Sequence, residues 1–326
     1  MLPEELMERI NAFQESRVLL TAIELDLFNA VGAGAPAEEV ARRLGAHPRS
    51  TEMLMNALVA LGMLEKQAGM FRNSETAARY FTRGSPEDAR LATMHQVARW
   101  QRWNTLTECV RAGTSVLQEA VAARGAEGTE AFIAAMHQRA GARTPEVVRA
   151  VGAAGVKRML DLGGGSGAYS IAFAQANPEL RAEILDLELV VGIARRHIEE
   201  AGLSGRITAR VGDLRKDAFG GGYDLVLISA ICHMLGAEEN RDLLRRSFAA
   251  LAPGGRAVIQ DFILGSDRTG PRQAALFALN MLVATREGNT YTEQEYWQWL
   301  REAGFAEVRR VALRGPTDLI VGTRAA

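Results

Sequence analysis

The segment Asp161–Gly167, with the sequence DLGGGSG, directly follows a short apolar run and precedes a stretch of helical periodicity. Glycines at such a strand-to-helix turn let the backbone approach a ligand closely, and the helix N-terminus favours negative charge. The spacing of Gly163, Gly165 and Ala168 also satisfies a relaxed dinucleotide fingerprint, which alone is weak evidence for a nicotinamide cofactor. The motif indicates a parallel α/β sheet that binds a ligand at one edge.

The rest of the second half has the matching pattern, because short runs rich in Val, Ile and Leu alternate with helical stretches. This alternation predicts a parallel sheet with helices on both faces. A final pair of strands, Ala306–Leu313 and Leu319–Thr323, flanks Gly315-Pro316 and predicts a closing antiparallel hairpin. The predicted strands lie in VKRMLDLGGG, RAEILDLE, RITARVGD, YDLVLISA and RAVIQDFIL, and the predicted helices are Ala168–Asn177, Val190–Ala201 and Glu238–Leu251.

Carboxylates stand at the ends of three successive predicted strands, at Asp161, Asp186 and Asp213. Asp161 precedes the glycines, where a carboxylate would repel a pyrophosphate but would suit a ligand's ammonium group. Asp186 can accept hydrogen bonds from ribose hydroxyls, and Asp213 is placed to accept one from an adenine amino group. The three carboxylates together favour a cationic nucleoside amino acid over an anionic dinucleotide.

The first half, to about residue 145, is predicted to be helical with at most one hairpin. Two short helices and a two-stranded wing within it form a winged-helix pattern. Pro36 opens the first of these helices and Gly45 closes it, and Ser50 or Thr51 is expected to cap the second. The predicted apolar face of the second helix is Leu54, Leu58 and Leu61, and the predicted wing strands are Met63–Lys66 and Met70–Arg72.

Winged helices often bind DNA with their second helix, so charge helps to separate DNA binding from a packing or dimer role. The candidate recognition helix Ser50–Leu61 contains Glu52 and no basic residue, and residues 1–150 hold 17 basic and 18 acidic side chains. The whole chain has 38 basic and 39 acidic side chains, which argues against a nucleic-acid partner and a polybasic membrane patch. We expect a dimer interface, with a DNA-binding regulator as the alternative.

The remaining composition predicts a soluble, cytoplasmic protein. Apolar stretches fall short of the roughly 18 residues that span a bilayer, and the acidic, amphipathic N-terminus does not resemble a signal peptide. Two cysteines, Cys109 and Cys232, argue against a disulfide scaffold and a cysteine-based zinc site. We expect no metal, no nucleic acid and no membrane partner.

The glycine motif and the winged-helix half, combined with DLE, GDL and LAPGGRAVIQDFIL, resemble the class I S-adenosylmethionine-dependent methyltransferases. Almost all 326 residues are similar to the small-molecule O-methyltransferase family of plant caffeic acid and flavonoid enzymes and bacterial polyketide-tailoring enzymes. The resemblance implies a winged-helix dimerisation domain over 1–98, a helical connection over 99–145, and a Rossmann-like domain with a seven-stranded, mostly parallel sheet over 146–326. It implies a homodimer.

The resemblance also implies S-adenosylmethionine (SAM) as the cofactor and S-adenosylhomocysteine (SAH) as its product. The family's contacts to the methionine part match the strand end and the glycines, and those to the ribose and adenine match the ends of the next two strands. The implied cofactor contacts are Asp161, Gly163, Gly165, Gly167, Asp186, Leu187, Asp213, Leu214 and Ser229.

The family has a catalytic histidine just after the fourth strand, and His233 in SAICHML matches its position. A histidine with a pKa near 6.5 is a suitable base for a phenol with a pKa near 10. Asp261 fills one of the family's two further acid positions. Met234 replaces the acid after the histidine and Thr290 replaces the later acid, with Glu287 nearby but out of register. A substrate-positioning or structural role for His233 therefore stays open.

The family's acceptor contacts lie in the connecting helices and after the fifth strand. A pocket between the two halves, apolar with a few polar groups, would suit a planar aromatic or polyketide-like acceptor. Core packing is the alternative role for these residues, and Trp297 and Trp299 are assigned to packing. The predicted acceptor residues are Met94, Trp100, Trp103, Phe132, Met136, His137, Phe277, Asn280 and Met281.

We therefore predict methyl transfer from SAM to a hydroxyl of a small aromatic or polyketide-like metabolite. One alternative keeps the cofactor but methylates carbon or nitrogen, or performs non-methylating chemistry such as hydroxylation, decarboxylation or a pericyclic reaction. A nicotinamide-dependent oxidoreductase is a more remote alternative.

Overall fold

A computed structural model describes residues 2–117, 125–141 and 143–326 of the chain. The chain divides into two compact units, Met1–Trp100 and Gln101–Ala326. The helical connection predicted over residues 99–145 lies in the second unit from Gln101 onwards. Within the described residues, we find no helix that is both long enough and apolar enough to cross a membrane.

The first unit is mainly helical and follows the predicted order of helix, helix and wing. Its wing is a three-stranded antiparallel sheet of order β1-β3-β2, one strand more than predicted, because Ala35 and Pro36 pair with Phe71 and Met70. The elements are α1 (Glu4–Asn11), α2 (Phe13–Glu24), α3 (Leu27–Val31), β1 (Ala35–Pro36), α4 (Ala37–Leu44), α5 (Pro48–Ala60), β2 (Leu64–Gln67), β3 (Met70–Asn73), α6 (Glu75–Phe81) and most of α7 (Arg90–Trp103).

Helix α5 begins earlier than predicted and buries a different face. It begins at Pro48, whose fixed φ suits the first helical position, so Ser50 and Thr51 lie inside the first turn and do not cap the helix. The observed helix therefore includes a basic residue, Arg49, that the predicted range left out. The buried face consists of Thr51, Met55 and Leu58 rather than Leu54, Leu58 and Leu61.

The second unit is an α/β domain. Seven strands of the described chain form one sheet of order β11-β12-β8-β7-β4-β5-β6. The pairs from β8 to β6 are parallel, and β12 and β11 add the antiparallel hairpin, so the predicted sheet is confirmed. The elements are α8 (Leu106–Ala112), α9 (Gly125–Gly141), α10 (Thr144–Val151), β4 (Arg158–Leu162), α11 (Ala168–Ala176), β5 (Arg181–Asp186), α12 (Glu188–Glu200), β6 (Ile207–Val211), β7 (Tyr223–Ser229), a 3-10 turn (Cys232–Met234), α13 (Ala237–Ala250), β8 (Leu251–Asp261), β9 (Ile263–Leu264), α14 (Arg272–Ala284), β10 (Tyr291–Thr292), α15 (Glu293–Glu302), β11 (Glu307–Val311) and β12 (Asp318–Thr323).

Both faces of this sheet are buried, which explains why its strands are continuous apolar runs. In β7, Val226 and Ile228 pack into the core beneath α13 and α15, while Leu225 and Leu227 pack on the opposite face against α10, α11 and α12. This alternation follows from the two-residue period of a strand.

The chain order creates a crevice between β4 and β7. From β4 the chain adds β5 and β6 on one side, and β7 and β8 extend the sheet on the other. Ligands of open α/β sheets bind at such a switch point, beyond the carboxyl ends of the strands. The glycine turn, Gly163–Gly167, follows β4, and the turn with His233 follows β7, so both predicted parts of the site begin at this crevice.

The predicted strand RAVIQDFIL is interrupted. Asp261 ends β8, and its Oδ1 accepts a 2.8 Å hydrogen bond from the Phe262 amide. The chain then leaves the main sheet, and Ile263–Leu264 pairs in parallel with Tyr291–Thr292. This break brings the loop before β10 close to the end of β8.

Candidate active site

The glycine turn is tight against the protein on one side and open on the other. Gly163 has a φ of +66°, and a Cβ there would lie 2.3 Å from Ile231 Cδ1, so the turns after β4 and β7 are in direct contact. Gly165 has a φ of +60°, yet a Cβ there would meet no atom closer than Ile133 Cδ1 at 3.9 Å. Gly167 then forms the N-cap of α11. The open side at Gly165 is where a ligand can approach the backbone.

Asp161 is a fully buried carboxylate with one oxygen left unbonded. Its Oδ2 accepts a 2.8 Å hydrogen bond from the Ser170 hydroxyl, whereas Oδ1 has no hydrogen-bond partner among the described residues. Burial raises the pKa of Asp161 to about 7, against the lowering effect of the Ser170 hydroxyl. An unpartnered buried carboxylate oxygen is costly, which fits a site that a ligand's ammonium group completes.

Asp186 connects the end of β5 to the glycine turn. Its Oδ2 accepts a 2.8 Å hydrogen bond from the Gly165 amide, and its Oδ1 accepts one of 2.7 Å from the Leu187 amide. Burial raises the pKa of Asp186, and these two amides oppose the shift. The structure thus brings Asp161, Asp186 and the glycines to one edge of the sheet.

The third predicted carboxylate, Asp213, bonds within its own loop. Its Oδ1 accepts a 2.9 Å hydrogen bond from the Arg215 amide, and Lys216 Nζ lies 3.7 Å from Oδ2. Leu214 packs against the sheet core. Leu187, which follows Asp186 at the end of β5, is 37% exposed. A carboxylate beside an exposed apolar side chain suits a ligand with both polar and apolar parts, such as adenosine.

Strand β7 ends in a strained turn beside a buried amide. Ser229 Oγ donates a 3.0 Å hydrogen bond to Gln260 Oε1, which ties the ends of β7 and β8 together. Ala230 follows with a φ of +57°, a conformation that costs about 1–3 kcal/mol for a residue with a Cβ. Its amide donates to the Gln260 carbonyl at 2.9 Å and holds this conformation. Sequence reasoning missed Gln260, a buried polar residue one position before Asp261.

His233 and Asp261 form a buried pair at the ends of β7 and β8. His233 Nδ1 lies 2.7 Å from Asp261 Oδ1, and the His233 amide donates to Oδ2 at 3.1 Å. His233 is 7% exposed and Asp261 is 1% exposed. Because an ionised carboxylate only accepts hydrogen bonds, Nδ1 is the donor of this contact. Asp261 therefore fixes the orientation of the imidazole ring.

Backbone contacts hold the turn Cys232–Met234 from behind. Asn240 Nδ2 donates to the Cys232 carbonyl at 2.9 Å, and the Asn289 amide donates to the His233 carbonyl at 2.9 Å. Cys232 is fully buried, and burial raises the pKa of its thiol well above its usual range. A thiol in this state is a packing group rather than a nucleophile.

The positions of the family's other two acids contain no carboxylate. Thr290 is buried, and its hydroxyl has no hydrogen-bond partner among the described residues. Glu287 is exposed, and its Oε2 would lie 2.5 Å from a Cβ at Gly236, near the start of α13. Asp261 is the acid that bonds His233 within the described chain.

An aromatic wall, Phe262 and Phe277, stands beside His233. The Phe277 ring meets the imidazole edge to face, with centroids 4.8 Å apart. Phe277 also stacks on Phe262, with centroids 4.0 Å apart and rings 19° from parallel. Sequence reasoning identified Phe277 but missed Phe262, although Phe262 directly follows the predicted strand-end acid. The wall is flat and apolar, which suits a planar acceptor.

Two more predicted acceptor residues follow Phe277 on α14 at helical spacing. Asn280 and Met281 come three and four residues after Phe277 and are buried. Asn280 Oδ1 accepts a 3.1 Å hydrogen bond from Trp103 Nε1. The structure therefore joins Trp103 to α14 within the second unit.

Met94 and Trp100 lie in the first unit. Met94 packs against the core of that unit, and the Arg17 guanidinium lies 5.8 Å from the centroid of the Trp100 ring. Trp299 is buried in the sheet core with Trp297 packed at its edge, in agreement with their assignment to packing.

The remaining predicted acceptor residues belong to α9, which lies against the glycine turn. Phe132 packs beside Ile133, and Met136 is half-buried. His137 Nδ1 lies 2.8 Å from Ser166 Oγ, inside the glycine turn. His137 therefore contacts the predicted cofactor side of the site, because the packing of α9 on α12 turns it that way.

Comparisons with known proteins identify the family of this chain. An O-methyltransferase domain matches residues 103–306, and an O-methyltransferase dimerisation domain matches residues 7–83. The 3-hydroxy-5-methyl-1-naphthoate 3-O-methyltransferase of Streptomyces sahachiroi is 36% identical over 332 residues, which cover 99% of this chain and 96% of that protein.

Solved structures show the same similarity. PigF with SAH has a TM-score of 0.91 and 27% identity, covering 99% of this chain and 100% of that one. Human N-acetylserotonin methyltransferase in complex with SAM has a TM-score of 0.84 and 27% identity, covering 98% and 97%. The chain belongs to the O-methyltransferase family and is a SAM-dependent methyltransferase.

Proposed function

We propose that this enzyme transfers the methyl group of SAM to a hydroxyl oxygen of a small aromatic or polyketide-like metabolite, with His233 as the general base. The buried His233–Asp261 pair, with its 2.7 Å contact, carries the proposal. The relative from Streptomyces sahachiroi is named for O-methylation of a hydroxynaphthoate, which supports a planar aromatic acceptor. The aromatic wall beside His233 suits the same class of acceptor.

Asp161 and the glycine turn fit the cofactor's methionine part, because a buried carboxylate oxygen and an open backbone edge lie together there. Asp186 with Leu187 is assigned to the ribose, Asp213 with Leu214 to the adenine, and Ser229 to the methionine side. When bound, SAM supplies a methyl group made electrophilic by its sulfonium.

The chain's own residues supply the base and hold it in place. His233 Nε2 accepts the proton of the acceptor hydroxyl as the oxygen becomes a nucleophile. Asp261 stabilises the imidazolium that forms, because it already accepts the Nδ1 proton. This one acid compensates for the carboxylates that are missing at Met234 and Thr290. Positioning two substrates in line can lower the barrier by several kcal/mol more.

We also propose that the enzyme acts as a homodimer, without metal, nucleic acid or membrane partners. The dimerisation-domain match over residues 7–83 supports this state. Helices α1 and α2 expose Leu6, Ile10 and Phe13 by 43%, 51% and 52%, an apolar surface that a second copy would cover. The formal charge of -1 favours a protein partner over a polyanion.

The test is turnover with SAM and a panel of hydroxynaphthoates and simpler phenols. We expect equal amounts of SAH and a methylated product, with NMR placing the new methyl on oxygen. A methyl group found on carbon or nitrogen would contradict oxygen as the acceptor atom. A changed acceptor without SAH would indicate non-methylating chemistry. Binding of NAD in place of SAH would overturn the cofactor assignment.

A further inference from the structure

Helices α9 and α12 pack along a seam that runs beside the glycine turn. The first half of the seam is apolar, where Ile133 of α9 packs against Val190 and Ile193 of α12. The second half is a pair of imidazoles. His137, one helical turn after Ile133, stacks on His197 with ring centroids 4.4 Å apart and planes 9° from parallel. The end of the seam with His137 and His197 is therefore polar, and the end with Ile133 is apolar.

The same face of α9 contacts the glycine turn at two adjacent residues. His137 Nδ1 lies 2.8 Å from Ser166 Oγ, and Ser166 is 4% exposed between two glycines. Ile133 Cδ1 is the atom nearest to the Cβ position on the open side of Gly165, at 3.9 Å. A movement of α9 would therefore change the surroundings of the Ser166 side chain and of the open backbone at Gly165.

Charged groups flank the seam on both α9 and α12. Glu200 Oε2 lies 3.4 Å from His197 Nδ1, and Arg196 is paired with Glu130 of α9 at 3.5 Å. Burial lowers the pKa of His137, the neighbouring His197 lowers it further, and Glu200 opposes both. The lowered pKa favours the uncharged form of His137.

The other elements around α9 contribute different groups. Helix α11 contains no charged residue. Arg143, directly before α10, and Glu146 of α10 bond the loop at Arg314. Asp161 and Asp186 are the titratable carboxylates at the turn itself. A change in pH therefore acts on the turn through these two carboxylates and through the imidazole stack.

We propose that His137 is a positioning residue for cofactor binding. Its hydrogen bond to Ser166 and its stack on His197 hold α9 against the glycine turn, and protonation of His137 weakens that hold. This inference rests on the proposed function, because SAM is the ligand assigned to the turn. His137 contacts Ser166 of the glycine turn, so we expect its effect to fall on cofactor affinity.

The experiment is calorimetric titration of the full chain with SAH at pH 7.5 and pH 5.5. His137→Asn keeps a hydrogen-bonding amide near the Nδ1 position but cannot be protonated. Between the two pH values we expect the Kd of the wild type to rise about tenfold more than that of His137→Asn, since a charged stack loses about one hydrogen bond's worth of affinity. An equal rise in both proteins would assign the pH dependence to the carboxylates and overturn the inference.

A second set of variants tests the contact itself at pH 7.5. His137→Phe and Ser166→Ala should each weaken SAH binding about fivefold, and the double variant should be no weaker than either, because both remove one hydrogen bond. Additive losses of SAH affinity in the double variant would show that the two side chains act independently, which would contradict the proposed contact. His47→Asn, at an exposed histidine of the first unit, is the matched control and should bind as the wild type does. A wild type that binds no SAH at pH 7.5 would overturn the proposed function together with this inference.

Discussion

Two buried aspartates end strands of the same sheet, yet their surroundings differ. Asp261, at the end of β8, uses both oxygens, since Oδ1 contacts His233 Nδ1 and accepts from the Phe262 amide while Oδ2 accepts from the His233 amide. Asp161, at the end of β4, bonds Ser170 through Oδ2 and leaves Oδ1 without a partner among the described residues. One carboxylate is satisfied by its own chain, and the other is not.

The difference supports the separate roles that we propose for the two halves of the site. A satisfied carboxylate holds a neighbouring ring in place before substrate arrives, which is the preorganisation that catalysis needs. An unsatisfied buried carboxylate carries an energetic cost until a cation reaches it, which is the state expected of a binding group. Asp261 is therefore assigned to the rate of the reaction and Asp161 to the affinity for the cofactor.

The largest effect is expected from removing His233, the proposed base, which Asp261 holds in place. His233→Ala is expected to lower kcat by about 10² to 10⁴, because the acceptor hydroxyl loses its proton acceptor. Quantified SAH formation at saturating SAM measures this loss, with the exposed His47→Ala variant as the control. A rate near that of the wild type would return His233 to a structural role.

Removing only the charge of Asp261 should have the next largest effect. Asp261→Asn keeps the size of the side chain but no longer fixes the imidazole tautomer, so we expect kcat to fall about 10²-fold. Quantified SAH formation at saturating SAM measures the loss. A normal rate would show that Asp261 only supports the fold.

The third prediction concerns Asp161 and the pH dependence of the unfolding free energy. The pKa of Asp161 is raised from 3.8 to about 7, so its proton-bound form stabilises the cofactor-free enzyme at low pH and this stability is lost as pH rises through 7. Between pH 5.5 and pH 8 the wild type should lose about 2 kcal/mol more unfolding free energy than Asp161→Asn. Urea unfolding at both pH values measures the difference. Parallel pH dependence in both proteins would contradict an unsatisfied Asp161.

The smallest expected effect lies at the aromatic wall. Phe262→Leu removes the ring that backs Phe277 and leaves the His233–Asp261 pair in place. We expect the acceptor KM to rise about threefold to tenfold, since a lost aromatic stack is worth about 0.5–1.5 kcal/mol, while kcat changes little. Steady-state kinetics with an identified acceptor separate the two constants. A loss confined to kcat would instead place Phe262 in support of the base.

Features that are local in the sequence could be predicted. The glycine turn and Asp161 are adjacent in the chain, so their meeting at one strand end follows from a single strand–turn–helix unit. Asp261 and His233 are 28 residues apart, and the match to the family was needed to place both near the crevice. Their contact depends on the neighbouring positions of β7 and β8, which alternation alone does not give.

Features that depend on helix packing could not be predicted. The sequence assigns His137 to the acceptor because it lies in the connecting helices, where the family's acceptor contacts lie. Only the packing of α9 on α12 places it at Ser166. The start of α5 does have a local signal in the sequence, since Pro48 at the first helical position outranks the capping preference of Ser50. The break at Phe262 arises from a side-chain hydrogen bond that sequence patterns do not show.

The most direct test measures kcat and the Kd for SAH side by side in Asp161→Asn and Asp261→Asn. We expect Asp161→Asn to bind SAH at least about tenfold more weakly, as loss of a charge-assisted contact implies, and to turn over near the normal rate at saturating SAM. We expect Asp261→Asn to bind SAH as the wild type does and to lose its rate. The opposite pairing, in which Asp261→Asn loses SAH affinity and keeps its kcat, would contradict the assignment of the two carboxylates.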